Sequence, residues 1–135
     1  AGKYKTMKDA NPLIQAIGVA SGLGYSSMNT WLKIPYCENF DKVAKATTCP
    51  VLMLGGEATG DPTDIFKQFV EGMRAGPSIR GALVGRNVTF PGKDDPLAVA
   101  SAVSGIVHKG FTVEDAVKHV MTIRGKNMNL LRKLL

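Results

Sequence analysis

A lysine set inside an apolar, β-prone run is the residue of this chain best equipped for covalent chemistry. Lys33 stands at the centre of Thr30-Trp31-Leu32-Lys33-Ile34-Pro35-Tyr36. In a strand, successive side chains point to opposite faces, so Trp31, Lys33 and Pro35 share one face and Leu32 and Ile34 the other. An ammonium group beside an indole either finds an anionic partner or gives up its proton, because desolvation disfavours the charged form. The neutral amine attacks carbonyls, and apolar neighbours that lower a lysine's pKa from about 10.4 are the usual preparation for Schiff-base chemistry. The plainer alternative is an edge-strand lysine whose stem lies on the sheet and whose head stays in water.

Two further stretches could bind the anionic part of a substrate. Gly55-Gly56 follows the apolar run Val51-Leu52-Met53-Leu54, and Gly85-Arg86-Asn87 follows Gly81-Ala82-Leu83-Val84. Glycine lets backbone N–H groups approach a phosphate, and an adjacent arginine adds a forked, permanently charged donor. Either glycine alone would be explained by a tight turn. Both follow predicted strands, and ligands of α/β proteins bind at the carboxyl ends of strands. Glu57, Asp61 and Asp64 read more simply as helix caps and a solvated face. His108 and His119 lie on predicted helices away from strand ends. Cys37 has no base near it in sequence.

Positioning these residues requires strands near residues 30–35, 51–54 and 81–85. The segments between them have helical patterns. Asn11 as cap and Pro12 in the first turn predict a helix with Leu13, Ile17, Ala20 and, at its end, Leu23 on the apolar stripe. A short helix is expected over residues 38–46, with Phe40, Val43 and Ala44 inward. Asp61-Pro62 starts another that buries Ile65, Phe66, Phe69, Val70 and Met73. Residues 95–108 form the next, with Leu97, Val99, Ala100, Val103 and Val107 as core candidates. Thr112 and Asp115 form a near capping box for a helix with Val113, Ala116, Val117, Val120 and Met121 inside. Leu130, Leu131, Leu134 and Leu135 have helical spacing in a final segment. Strands that alternate with helices predict an α/β fold with an open parallel sheet.

At 135 residues and 44% hydrophobic composition the chain can bury one domain core. The +6 net charge suits a phosphate ester as well as a nucleic acid. With 7% aromatic residues and no basic cluster interleaved with Phe or Tyr, a base-stacking surface is disfavoured. Cys37 and Cys49 lack metal-ligand spacing and read as reduced thiols of a cytoplasmic protein. No apolar run approaches the roughly 20 residues of a membrane span.

Taken in order, Thr30-Trp31-Leu32-Lys33-Ile34-Pro35, then Pro50-Val51-Leu52-Met53-Leu54-Gly55-Gly56, then Gly81-Ala82-Leu83-Val84-Gly85-Arg86-Asn87-Val88 resemble the last three strands of class I aldolases of the fructose-bisphosphate and deoxyribose-phosphate aldolase superfamily. The likeness is greatest to aldolase-like proteins associated with inositol catabolism in actinobacteria. It implies a partial TIM (β/α)8 barrel over residues 10–110, preceded by a polar arm (1–9) and followed by a helical extension (111–135). It also implies lyase activity on a phosphorylated sugar or aldehyde, with Lys33 as the Schiff-base lysine and Gly55, Gly56, Gly85 and Arg86 holding the phosphate. No cofactor is expected. The family's first five strands, with their acidic residue and proton-donating tyrosine, have no counterpart here. Activity would then need a complementary half-barrel or a homo-oligomer, and the alternative is a non-catalytic phosphate-binding or interaction module.

Overall fold

A computed structural model describes residues 9–126. The lysine-rich arm and the leucine-bearing final segment lie outside the described residues, save Asp9 and the stretch up to Lys126. Three strands, β1 (Leu32–Pro35), β2 (Val51–Leu54) and β3 (Ile79–Leu83), form one parallel sheet in the order β1-β2-β3. Around them lie α1 (Ala10–Ser21), α2 (Phe40–Lys45), α3 (Thr63–Arg74), α4 (Arg86–Thr89), α5 (Pro96–Lys109) and α6 (Val113–Ile123). Parallel neighbours cannot be joined by hairpins, so α2 and α3 serve as the crossovers between them.

The two faces of the sheet differ. Leu32, Ile34, Val51, Met53 and Ile79 are buried on the face that the helices cover. On the other face Trp31 is 60% exposed and Leu83 49% exposed, Lys33 is exposed, and Leu52 and Leu54 are half-buried. Pro35, which alternation assigns to this second face, is nonetheless buried at the end of β1. The core is built from Leu13 and Ile17 of α1, Phe40 and Val43 of α2, Phe66, Phe69 and Val70 of α3, and Val99, Ala102 and Ile106 of α5. Among the described residues, no helix is long and apolar enough to cross a membrane.

Several expectations shift. The third strand begins at Ile79, two residues early, because Ile79 stands opposite Val51 on the buried face while Val51 N–H donates to Ser78 O at 2.8 Å. An irregularity between Val51 and Leu52 brings Gly81 opposite Leu52, so Arg80 is the extra residue at a bulge. The strand has ended before Gly85, whose φ of −124° and ψ of −88° lead into the short helix α4, which sequence patterning does not reveal. The first strand starts at Leu32, where the ladder begins with Leu32 N–H donating to Pro50 O at 2.9 Å.

Helix α1 starts at Ala10, so Asp9 takes the cap position that Asn11 was expected to fill, without a side-chain hydrogen bond. Leu23 falls beyond its end and is exposed. Leu97 and Met121 are also exposed, since the small residues Ala98, Ala102 and Ala116 take the tightest packing positions on α5 and α6. The capping box of α6 forms as expected: Thr112 Oγ1 accepts from Asp115 N–H at 3.1 Å, and Asp115 Oδ2 accepts from Thr112 N–H at 3.1 Å.

Candidate functional site

Because all three strands are parallel, their carboxyl ends meet along one edge of the sheet. Register sets Lys33 opposite Leu52, and Leu52 opposite Gly81. Lys33 therefore stands on the uncovered face, two residues before the end of β1. The ion pairs among the described residues are Lys45–Asp41, Lys67–Asp64 and Arg124–Asp94, none of which involves Lys33. Among the described residues, no carboxylate is thus paired with its head group.

The two glycine-bearing turns are in contact. Gly56 has a φ of +68°, a left-handed conformation that disfavours any other residue, and space beside it is open to 4 Å. Arg86 Nη2 reaches across to donate to Gly56 O at 3.4 Å. Next to it Asn87, buried at the start of α4, donates through Nδ2 to Gly55 O. A side chain on Gly55 would lie 3.0 Å from that amide and from Val84 Cγ1, so the hydrogen bond depends on glycine here. Beside Gly85 nothing approaches within 4 Å. Gly55, Gly56, Gly85 and Arg86 are thereby brought together at the ends of β2 and β3, with Lys33 on the neighbouring strand β1.

The loops beyond these turns also meet. A Cβ on Gly92 would lie 2.1 Å from Gly60 O, so the loop after β2 and the loop after β3 touch backbone to backbone. Sequence reasoning missed this contact and the role of Asn87. The asparagine had a signal, since it closes the Gly85-Arg86-Asn87 run, but its partner lies 32 residues away.

The weaker candidates resolve into structure. Asp61 Oδ1 accepts from Thr63 N–H at 2.8 Å, which holds its carboxyl below the ordinary range, but the cap position of α3 that it was expected to fill belongs to Pro62. Asp64 pairs with Lys67 at 3.7 Å. His119 shares a 2.8 Å hydrogen bond with Ser101 and meets the Phe111 ring edge-on, as a packing residue between α6 and α5. Cys37 is buried, and desolvation pushes its thiol up, which suppresses the nucleophilic thiolate. Tyr36 lies toward α3 and donates to Glu71; that hydrogen bond and burial push its hydroxyl up to about 12. Among the described residues, no three His, Cys, Asp or Glu side chains are grouped to hold a metal ion.

The chain is similar to known proteins in sequence and in fold. A family model described as Cgl0159-like matches residues 1–107. The 2-amino-3,7-dideoxy-D-threo-hept-6-ulosonate synthase 1 of Archaeoglobus fulgidus is 29% identical over 100 residues, 74% of this chain and 36% of its own. The crystal structure of Cgl0159 from Corynebacterium glutamicum matches at a TM-score of 0.71 and 32% identity, covering 78% of this chain and 35% of that one. This chain therefore spans about a third of the length of either relative. With residues 1–107 of 135 matched to its model, the chain belongs to the Cgl0159-like family.

Proposed function

We propose that this chain carries the Schiff-base and phosphate-binding part of a class I aldolase, a lyase that makes or breaks a carbon–carbon bond in a phosphorylated sugar or aldehyde. Its three strands correspond in this reading to the last three of a (β/α)8 barrel, of which residues 10–110 form only that part, with residues 111–135 as an added extension. The carrying observation is the placement of Lys33 on the uncovered face of β1, at the edge where the Arg86 turn is hydrogen-bonded to Gly56. The match to a synthase supports an aldolase-related reaction. The resemblance to aldolase-like proteins of inositol catabolism suggests a sugar phosphate from polyol breakdown as substrate.

In this mechanism the neutral Lys33 amine adds to the substrate carbonyl, and its oxygen departs as water to leave an iminium ion. The β-hydroxyl then loses its proton, that fragment leaves as a carbonyl compound, and the electron pair of the breaking carbon–carbon bond flows into the iminium to give an enamine; protonation of the enamine carbon restores an iminium, whose hydrolysis releases the second product and the free amine. The N–H groups around Gly55, Gly56 and Gly85, with the Arg86 guanidinium, hold the phosphate while Lys33 reacts. A complementary half-barrel or a second copy of the chain supplies the proton-transfer groups. Borohydride reduction with a ketose or aldose phosphate should fix an adduct on Lys33. Lys33→Arg should abolish it, because a guanidinium stays charged. Arg86→Ala should preserve trapping but weaken phosphorylated ligands by about 1.5–3 kcal/mol, or roughly ten- to over a hundred-fold, relative to unphosphorylated analogues.

The second reading, a non-catalytic phosphate-binding module, is favoured by the exposure of Lys33, which fits a lysine whose stem lies on the sheet and whose head stays in water. Phosphate binding without a trappable adduct, in this chain and in its assemblies, would select it.

A further inference from the structure

Helix α6 lies beyond the residues matched to the family model, yet besides its own cap it is fastened to the fold at two places. The Thr112–Asp115 capping box fixes its start. His119 hydrogen-bonds Ser101 of α5 midway along it. At its end Arg124 pairs with Asp94, and Gly125 N–H donates to Asp95 Oδ2 at 3.1 Å. Asp95 is also the cap of α5, since its Oδ1 accepts from Leu97 N–H at 2.9 Å.

Asp94 and Asp95 close the loop that begins at Gly85 and carries Arg86. That loop already touches its neighbour twice, through Arg86 to Gly56 and through Gly92 to Gly60. We infer that α6 is an anchor for the phosphate turn: by holding Asp94 and Asp95, Arg124 and Gly125 limit the motion of residues 85–95 and so keep Arg86 in place. Arg124 is a positioning residue here and does not touch the ligand. The residues that do the holding, Arg124 and Gly125, lie beyond the family match, which ends at residue 107. The inference rests on the phosphate reading of the site only for its effect on binding. The anchoring itself is a statement about the loop.

Hydrogen exchange and phosphate titration on the same variants test both parts. In Arg124→Gln, amides of residues 85–95 should exchange about ten-fold faster or more while those of Val51–Leu54 keep their protection. The dissociation constant for inorganic phosphate should rise about three- to ten-fold, as expected when a binding group is less well held. Arg124→Lys should restore most of both effects. Asp94→Asn should reproduce Arg124→Gln, and the double variant should be no worse than either alone, because both remove one interaction. Unchanged exchange in residues 85–95, or equal acceleration of every amide, overturns the anchor. If Arg86→Ala binds phosphate as well as the parent, the phosphate reading fails instead, and the exchange pattern still decides the anchor.

Discussion

Replacing Gly92 by alanine tests whether the two strand-end loops touch. Gly92 has a φ of +74°, and its added Cβ would stand 2.1 Å from Gly60 O and 2.9 Å from Gly60 C. Two costs follow. Holding alanine in the left-handed region costs about 1–2 kcal/mol. Displacing a neighbouring backbone adds an overpacking cost of about 1–3 kcal/mol. Gly110 supplies the control, because its φ of +67° is almost the same and nothing lies within 4 Å of its Cβ position. Gly110→Ala should therefore bear the first cost alone. The two variants should differ by about 1–3 kcal/mol in urea unfolding, which at a slope of about 1.5 kcal/mol/M separates their midpoints by roughly 0.7–2 M. Gly92→Ala should also weaken phosphate binding, since it pushes apart the loops that carry Arg86 and Gly56. Equal midpoints for the two variants would show that the loops do not meet at Gly60 and Gly92.

Removing the Asn87 amide in Asn87→Ala should cost about 1–3 kcal/mol by leaving Gly55 O without its donor, and Asn87→Asp should cost at least as much because a carboxylate would face that carbonyl; thermal unfolding of the pair checks the order. The Tyr36 hydroxyl is raised from 10.0 to about 12 in the folded chain. Its contribution to stability is thus fully present below the unfolded value and is lost as pH rises toward about 12. An ultraviolet titration should show a tyrosine step near that pH that Tyr36→Phe removes. Asp115 shifts the other way, held below 3.8 first by the Thr112 backbone N–H. Its cap stabilises above the unfolded value and is lost as pH falls through the depressed folded one. The stability gap between the parent and Asp115→Asn should therefore be full above the unfolded value of 3.8 and close as pH falls below it; a gap of constant size would mean that the carboxylate does not cap α6.

What the sequence made legible was local. Alternation in Trp31-Leu32-Lys33-Ile34 was enough to assign Lys33 and Trp31 to one face and Leu32 and Ile34 to the other, and the Thr112–Asp115 spacing was enough to place a helix start. Strand order and parallel direction followed from the helices between the strands. Features set by distant partners escaped. The start of β3 at Ile79 depends on its register with Val51, and the bulge at Arg80 leaves no mark on the hydrophobic pattern. Leu97 and Met121 have the right character for a core, but the neighbours of α5 and α6 turn other residues inward. Within the candidate site, the glycines and Arg86 stood out by type, while the Asn87–Gly55 bond and the Gly60–Gly92 approach exist only once the strands lie side by side.

The two buried thiols give this fold a pair of internal clocks. Cys37 follows the carboxyl end of β1 and Cys49 precedes the amino end of β2, so they sit at opposite edges of the sheet. A thiol reagent reaches a buried sulfur only while the structure around it is open, so the modification rate of each cysteine measures how often its own edge opens. The edge that carries Lys33 and the turns at Gly56 and Gly85 can thus be timed separately from the opposite one. Ligand binding at the strand ends should slow the modification of Cys37 more than that of Cys49.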